Sequence, residues 1–359
     1  MSIGVALIGA GVFARKEHLP AIKSCSLLSL KAVYSRSQSS AESFIADSGA
    51  DATAYFDSSS TPSKSLDDLL QREDIEAVII AVAINAAPDL IKKALAAGKH
   101  VMSEKPIAPD VETAEELIEY HDRLAQQQSK PVLWAVGENF RFWNPVQRAA
   151  GILKQMGGRL VMFSVTAYSF TDATNPYFAS DWRQKPTFQG GYLLDGGVHF
   201  IAVLRTLLAA LDEKVQGVSA HTTLLQAHLP PVDTIHAILR TASGRSGTYI
   251  SSVGIESKRG MEFEIVTDNG SVTYRPFQME IVTKWRAKGG DKFEEASEAA
   301  PLMWGVKEEV AAFAEGISTK NLDRKLSTVE ALEDLRIVEA MLRSGDAQGL
   351  PVEIPKDGA

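Results

Sequence analysis

The segment VALIGAGVFA, residues 5 to 14, joins an apolar run to a glycine-rich turn and then to the start of an amphipathic stretch. Short apolar runs recur along the first part of the chain, each beside a helical pattern, as in LSLKAVYS (28–35), EAVIIAVA (76–83) and PVLWAVGE (131–138). The run at 76–83 has no polar side chain after its first residue, as in a strand that is buried on both faces. Strands separated by helices in this way predict an α/β fold with a doubly wound parallel sheet.

The turn GAGVFA fits the pattern G-x-G-x-x-G/A, which in other proteins carries a dinucleotide. Gly9 allows the tight turn, Gly11 lets the backbone approach a pyrophosphate, and Ala14 permits close packing of helix on strand. Phe13 lies in the same turn, and the helix that follows offers its N–H groups to phosphates. This strand–turn–helix context predicts that these four residues bind a nucleotide; the alternative is a tight turn without a ligand.

The end of the second predicted strand bears on which dinucleotide binds. Sites specific for NAD usually carry an acid there, which binds the ribose 2′-hydroxyl. Here Ser35 and Arg36 occupy the strand end, and the first acid after them is Glu42. A hydroxyl and a guanidinium suit a 2′-phosphate, which a carboxylate would repel. We therefore expect NADP(H) rather than NAD, the alternative being that Arg36 is an ordinary surface residue.

The second half of the chain has a different pattern. Apolar and polar residues alternate in TIHAILRT, GTYISSVG, MEFEIVT and GSVTYRPF, and the sequence DNG at 268–270 is a hairpin signal. These segments predict a C-terminal α+β domain with a large, mostly antiparallel open sheet. Two further helical patterns, at about 304–317 and 327–344, close the chain.

Composition excludes several classes of partner. A net charge of −8 and a pI of about 5.5 argue against nucleic acid or an anionic membrane. No uninterrupted apolar run reaches the ~18 residues of a membrane span, and the N-terminus lacks the basic region of a signal peptide. The seven histidines have no paired acids at metal-ligand spacing. We therefore expect a cytoplasmic protein that binds no metal.

Two separate segments carry groups that can hold or move a proton. In HVMSEKPIA (100–108), Glu104 and Lys105 follow a predicted strand, at the sheet edge where ligands of doubly wound folds bind. In GGYLLDGGVHF (190–200), Asp195 and His199 are four positions apart and therefore share one face of a helical turn. An exposed Glu–Lys pair and a local polar contact are the plain alternatives.

Taken together, these motifs resemble the glucose–fructose oxidoreductase/inositol dehydrogenase (Gfo/Idh/MocA) family, and in particular its fungal NADP(H)-linked members. The resemblance spans nearly the whole chain and rests on five motifs in order: GAGVFA, AGKHVMSEKPIA, NFRFWNP, DWRQKP and GGYLLDGGVHF. The pairing of EKP with a later D-x-x-x-H is its most specific part. Two positions depart from the pattern: Gln189 stands where many members have glycine, and Pro88 where many have histidine.

The resemblance implies a catalytic set of Lys105, Asp195 and His199. The implied reaction is hydride transfer between nicotinamide C4 and the CH–OH or C=O carbon of a small sugar, polyol or aldehyde. His199 would move the hydroxyl proton, because its ordinary pKa lies near neutral pH. Lys105 would stabilise the developing alkoxide and Asp195 would orient its neighbours. Whether lysine or histidine is the formal acid/base stays open.

The resemblance also adds residues around the cofactor and substrate. Trp182 and Arg183 are expected at the cofactor, with Glu104; Asn139, Arg141 and Tyr192 are weaker candidates for the pocket. For Trp182 the alternative is a core aromatic, and for Arg183 it is an ion pair with a local acid such as Asp181.

The resemblance implies an NADP-binding Rossmann domain at 1–138 and a C-terminal α/β domain at 139–359. The second domain would bear the substrate pocket and the interface of a homodimer or homotetramer on its sheet. The closing helices would pack back on the first domain. A competing hypothesis is a sensor that resembles galactose-regulon repressors, in which the nucleotide is a signal and not a reactant. Such a sensor has no need of the proton-transfer set.

Overall fold

The computed structural model describes residues 2–57, 62–127, 130–286 and 292–355. They form two compact units. The first comprises Met1–Asn139 and Val306–Leu332, and the second comprises Phe140–Gly305 and Glu333–Ala359. The division expected from the sequence lies between residues 138 and 139, one residue before the division in the structure. The structure also assigns the first closing helix, α9, to the first unit.

The elements follow one another along the chain as strands β1–β15 and helices α1–α10. The strands are β1 Ile3–Ile8, β2 Leu28–Ser35, β3 Thr53–Phe56, β4 Ala77–Ile80, β5 His100–Glu104, β6 Trp134–Gly137, β7 Leu160–Tyr168, β8 Val215–Thr223, β9 Thr234–Thr241, β10 Ser246–Ser252, β11 Gly260–Thr267, β12 Gly270–Arg275, β13 Glu280–Arg286, β14 Phe293–Ala299 and β15 Val352–Glu353. The helices are α1 Leu19–Ser24, α2 Gln38–Ser48, α3 Leu66–Leu70, α4 Ala87–Ala96, α5 Val111–Gln127, α6 Asn144–Met156, α7 Asp181–Gln184, α8 Tyr192–Ala209, α9 Val306–Thr319 and α10 Thr328–Asp346. A π-helical turn, Ala14–His18, leads into α1.

The first unit contains a six-stranded parallel sheet in the order β3-β2-β1-β4-β5-β6. Every residue of β1 and of β4 is buried, as the apolar sequences of these two strands predict. The predicted doubly wound parallel sheet is therefore confirmed. Because all six strands run in one direction, the ends of β1, β2 and β5 bring the glycine turn, Arg36 and Lys105 to the same edge of the sheet.

The second unit contains a nine-stranded sheet in the order β14-β13-β12-β11-β7-β10-β9-β8-β15. All neighbouring pairs are antiparallel except β7 with β10, which confirms the predicted, mostly antiparallel sheet. Helix α8 packs on β7, β10 and β11, and on α6. Its apolar face supplies a large part of the core of this unit.

Helix α8 is also long and apolar enough to cross a membrane, judged by its 18 residues and a mean hydropathy of 1.4. Within the described residues, 61% of that stretch is buried inside the fold, as in the core helix of a globular unit. Length and composition alone are weak evidence for a membrane span. The helix is interrupted by Asp195, His199 and Arg205, so the sequence shows no continuous apolar run there.

Candidate active site

The glycine turn after β1 has the shape that a dinucleotide requires. Gly9 has φ +115°, and a Cβ there would lie 2.1 Å from the carbonyl oxygen of Ala81, so only glycine fits. A Cβ on Gly11 would meet nothing within 4 Å, which leaves its backbone open to a ligand. Ala14 is buried where the helix meets the sheet. These residues fit a bound pyrophosphate.

The end of β2 carries Ser35 and an exposed Arg36, as the sequence predicts. The structure adds an acid there, because Asp57 follows the neighbouring strand β3 and accepts a 2.6 Å hydrogen bond from the Tyr34 hydroxyl. Burial raises the pKa of Tyr34, and the hydrogen bond and charge of Asp57 raise it further, while the charge of Arg36 opposes them. The end of β2 therefore does have an acid beside it, although this acid comes from the segment after β3. The sequence gives no signal for Asp57, because the strand that it follows, β3, has only four residues.

Lys105 immediately follows β5, half-buried, and its peptide bond to Pro106 is cis. The preceding residue, Glu104, was predicted at the cofactor; its carboxylate lies 2.6 Å from Nε2 of His18. His18 is fully buried in the π-helical turn, which follows directly from the glycine turn. His18, which has no recognisable partner in the sequence, thus links the segment after the glycine turn to the segment that contains Lys105.

Two further buried acids lie in the same unit. Glu309 on α9 and Glu138, the residue after β6, are each only 1% exposed. Burial raises the pKa of Glu309 well above its ordinary value, and the charges of Glu104, Glu138 and Glu308 raise it further. The positive charge of Lys105 acts in the opposite direction. The sequence offers no signal for Glu309, because it lies about two hundred residues from Lys105 in an ordinary helical pattern.

Replacing Glu309 with glutamine is expected to change how stability depends on pH. A raised folded-state pKa means that the native state holds a proton that the unfolded state releases above about pH 4.5. Wild-type stability therefore falls as pH rises from that value towards the raised pKa, by about 1.4 kcal/mol for each pH unit. The neutral amide has no such loss. In thermal melts, the glutamine variant should gain on the wild type by about 3 °C or more per pH unit above pH 5. A melting-temperature difference that is independent of pH would contradict this.

The glycines of GGYLLDGGVHF have two distinct roles. Gly190 and Gly191 have positive φ, and a Cβ would clash with Leu342 at the first and with the Pro230 carbonyl oxygen at the second. These two glycines shape the turn that starts α8. At Gly196, inside the helix, a Cβ would meet nothing within 4 Å, and at Gly197 only ordinary contacts. The protein leaves the space beside Gly196 open.

Asp195 lies in the first turn of α8, 6% exposed, and binds Arg183 with 2.7 Å between Oδ2 and Nε. Arg183 also donates to the carbonyl oxygen of Tyr177, and its guanidinium stacks 4.0 Å from the centre of the Trp182 ring. Arg183 thus contacts two other predicted residues, Trp182 and Asp195. The alternative for Arg183, an ion pair with a local acid such as Asp181, is present in the structure with Asp195 as the acid.

His199, one turn beyond Asp195, stacks on an aromatic ring. Its imidazole lies nearly parallel to Phe140, with 4.2 Å between the ring centres and 12° between the planes. Phe140 in turn stacks on Trp143 at 3.6 Å. The motif NFRFWNP therefore supplies the support for the His199 ring, a role that the sequence analysis did not assign to Phe140.

Two of the weaker pocket candidates, Arg141 and Tyr192, have partners within the second unit. Arg141 forms a buried ion pair with Asp334, whose second oxygen accepts a 2.7 Å hydrogen bond from Arg205. Tyr192 meets Phe178 edge to face. These contacts give Arg141 a role in holding the second unit together. Among the described ranges, no three His, Cys, Asp or Glu side chains are grouped as ligands for a metal ion.

The candidate residues are divided between the two units. The first unit contains the glycine turn, Ser35, Arg36, Glu104 and Lys105, and the second contains Trp182, Arg183, Asp195 and His199. Comparison with known protein families gives a match for the N-terminal part of the chain and another for the C-terminal part. Residues 3–132 match the description "Oxidoreductase family, NAD-binding Rossmann fold", and residues 152–354 match "Oxidoreductase family, C-terminal alpha/beta domain". The chain belongs to the Gfo/Idh/MocA oxidoreductase family.

Individual relatives extend this assignment over the full length. The chain is 43% identical to dehydrogenase FPY6 of Fusarium mangiferae over 349 residues, which cover 97% of each protein. It is similar to the crystal structure of an oxidoreductase from Thermotoga maritima, with a TM-score of 0.84, 29% identity and 99% of each chain covered. It shares its fold with a myo-inositol dehydrogenase from Lactobacillus casei, solved with NAD(H) and myo-inositol, at a TM-score of 0.75, 18% identity and coverage of 100% and 98%.

Proposed function

We propose that the protein is an NADP(H)-dependent oxidoreductase that interconverts the CH–OH and C=O groups of a small sugar, polyol or aldehyde. The observation that carries this proposal is the retention of Lys105 at the end of β5, and of Asp195 and His199 in the first turns of α8, in a chain of this family. A protein that only sensed a nucleotide would not need these three groups.

The proposed chemistry assigns one task to each group. A bound nicotinamide supplies or accepts the hydride. His199 takes the proton of the substrate hydroxyl on oxidation and returns it on reduction, and its ring is held flat against Phe140 for this purpose. Lys105, half-buried, donates a hydrogen bond to the same substrate oxygen and stabilises negative charge on it.

Asp195 acts through its geometry. Its carboxylate is fixed by the Nε of Arg183, and the guanidinium is itself held by Tyr177 and by stacking on Trp182. Charge-assisted hydrogen bonds of this kind hold a side chain firmly. We propose that these contacts of Arg183 hold the first turn of α8 in one position. They thereby also fix the position of His199, which lies one turn further along the helix.

The polar groups and one relative support this proposed substrate class. A small polyhydroxylated molecule can pair its hydroxyls with Asp195, His199 and Lys105, which a purely apolar compound cannot do. The Lactobacillus casei relative, whose structure contains myo-inositol, binds a compound of this kind. The open space at Gly196, between Asp195 and His199 in the sequence of the helix, leaves room beside these two groups.

A panel of sugars, polyols and aldehydes, followed at the NADPH absorbance band, tests the proposal. We expect turnover with at least one hydroxylated or carbonyl compound. Binding of NADP(H) with no turnover across the panel would favour the sensor, because a sensor binds the nucleotide without consuming it.

The preference for NADP(H) rests on Arg36. Replacing Arg36 with alanine should weaken NADP binding by at least about tenfold, because a charge-assisted hydrogen bond to the 2′-phosphate is lost, and should leave NAD binding little changed. Replacing Asp57 with asparagine is the matched control in the opposite direction: it keeps a partner for Tyr34 and removes a negative charge, so NADP binding should tighten. Calorimetric titration of both cofactors measures these effects. Equal affinity of the wild type for NAD and NADP would refute the preference.

A further inference from the structure

Three acids, Glu104, Glu138 and Glu309, which we call the acid cluster, lie around the chain that leads to Lys105; Glu138 and Glu309 are buried, and Glu104 is partly exposed. Strands β5 and β6 pair with Glu104 opposite Gly137, so Glu138 emerges beside the end of β5. Helix α9 places Glu309 over Gly137: a Cβ on this glycine would lie 3.5 Å and 3.6 Å from the two carboxyl oxygens. The carboxyl group therefore rests on the backbone of β6, next to β5, the strand that Lys105 follows.

Helix α9 also packs on α1 and on the π-helical turn, so the acid cluster is closed on that side by His18. The Nε2 atom of His18 forms a hydrogen bond with the carboxylate of Glu104. The charged and titratable groups that surround Glu309 are Glu104 and Lys105 after β5, Glu138 after β6, Glu308 on α9 itself and His18 on the π-helical turn.

Glu309 differs from an ordinary buried carboxylate in its bonding. Its Oε2 is fully buried and has no hydrogen-bond partner among the described residues. Ionising a buried carboxyl group that has an oxygen without such a partner is costly, whereas the neutral acid costs much less. Repulsion from the other carboxylates favours the neutral form as well. Glu309 is therefore an acid that can change its charge close to Lys105.

We propose that Glu309 is a positioning residue for Lys105, and that its charge state controls how firmly the Lys105 ammonium is held. The inference rests on the proposed role of Lys105. With Glu309 neutral, the acid cluster places two negative charges near the ammonium, and the ammonium is held less firmly. When Glu309 ionises, a third negative charge draws the ammonium towards the protein and opposes the loss of its proton.

The experiment measures Lys105 directly and needs no substrate. The intact protein is treated with an amine-acylating reagent at a series of pH values, and labelling of Lys105 is resolved by peptide mass spectrometry. Three variants are compared with the wild type: Glu309→Gln, which removes the charge; Glu309→Asp, which retains it; and Glu308→Gln, a control from the same helix.

In Glu309→Gln, the midpoint of Lys105 labelling should move to lower pH by roughly one unit, a tenfold change in the fraction of free amine. Glu309→Asp should restore most of the wild-type profile, and Glu308→Gln should shift it far less. A purely structural role for Glu309 would not move this midpoint. Identical profiles for Glu309→Gln and wild type, or an equal shift in Glu308→Gln, would overturn the inference.

Unfolding of Glu309→Gln would overturn it too, because a neutral amide should replace a neutral acid without loss of the fold. The outcome is independent of the proposed function. A shifted labelling midpoint without turnover in the substrate panel would leave the electrostatic link standing and remove only its catalytic purpose.

Discussion

Alanine at Lys105, and alanine at His199, should each lower turnover by at least ~100-fold, the usual scale of general acid–base effects. The reason is chemical: without His199 the hydroxyl proton has no acceptor, and without Lys105 negative charge on the substrate oxygen is not stabilised. Steady-state kinetics with the best compound of the substrate panel measures both variants.

Two exposed residues provide matched controls for these variants. Lys93 on α4 and His236 on β9 are both exposed, and alanine at either should leave the rate within a factor of about two. If alanine at Lys105 or at His199 gave a nearly normal rate, the assignment of that residue would be wrong.

Asparagine at Asp334 is expected to destabilise the second unit by about 3–5 kcal/mol, the cost of breaking a buried ion pair from one side. Asp334 is 2% exposed and holds Arg141 through one oxygen and Arg205 through the other. Removing its charge leaves two positive guanidinium groups close together in a buried place, where unbalanced charge is poorly solvated.

Thermal or denaturant unfolding measures this loss, which should appear as a fall in melting temperature of at least about 6 °C. The ion pair of Arg148 with Glu298 is a suitable control, because both side chains are largely exposed, at 58% and 40%. Glutamine at Glu298 should cost less than about 1 kcal/mol. Equal melting temperatures for the Asp334 and Glu298 variants would show that the buried pair adds no more than a surface one.

Elements with a strong hydrophobic period could be predicted from the sequence. The strand expected at 28–35 is Leu28–Ser35, and the helix expected at about 327–344 is Thr328–Asp346. Strand β14, by contrast, exposes nearly every side chain at the edge of its sheet, so it has no alternation to detect. Strand β3 has only four residues, too few to establish a period.

The candidate site residues could be proposed from the sequence motifs alone. Positions such as Lys105 and Asp195 stand next to recognisable strand ends and glycine turns. Their partners could not be predicted, because the partners come from distant parts of the chain: His18 and Glu104 are 86 residues apart, and Arg141 and Asp334 are 193 apart. The packing of helices and sheets decides which distant residues meet. This packing cannot be read from the local sequence.

The central claim, that the nucleotide is a reactant, is tested most directly by following the hydride itself. NADPH deuterated at C4 is incubated with the wild-type protein and a mixture of carbonyl compounds, and the products are examined by mass spectrometry. The account predicts an alcohol that carries deuterium on the reduced carbon, formed by the wild type and strongly diminished in the alanine variants of Lys105 and His199. Tight binding of NADPH with no deuterium in any product would contradict it.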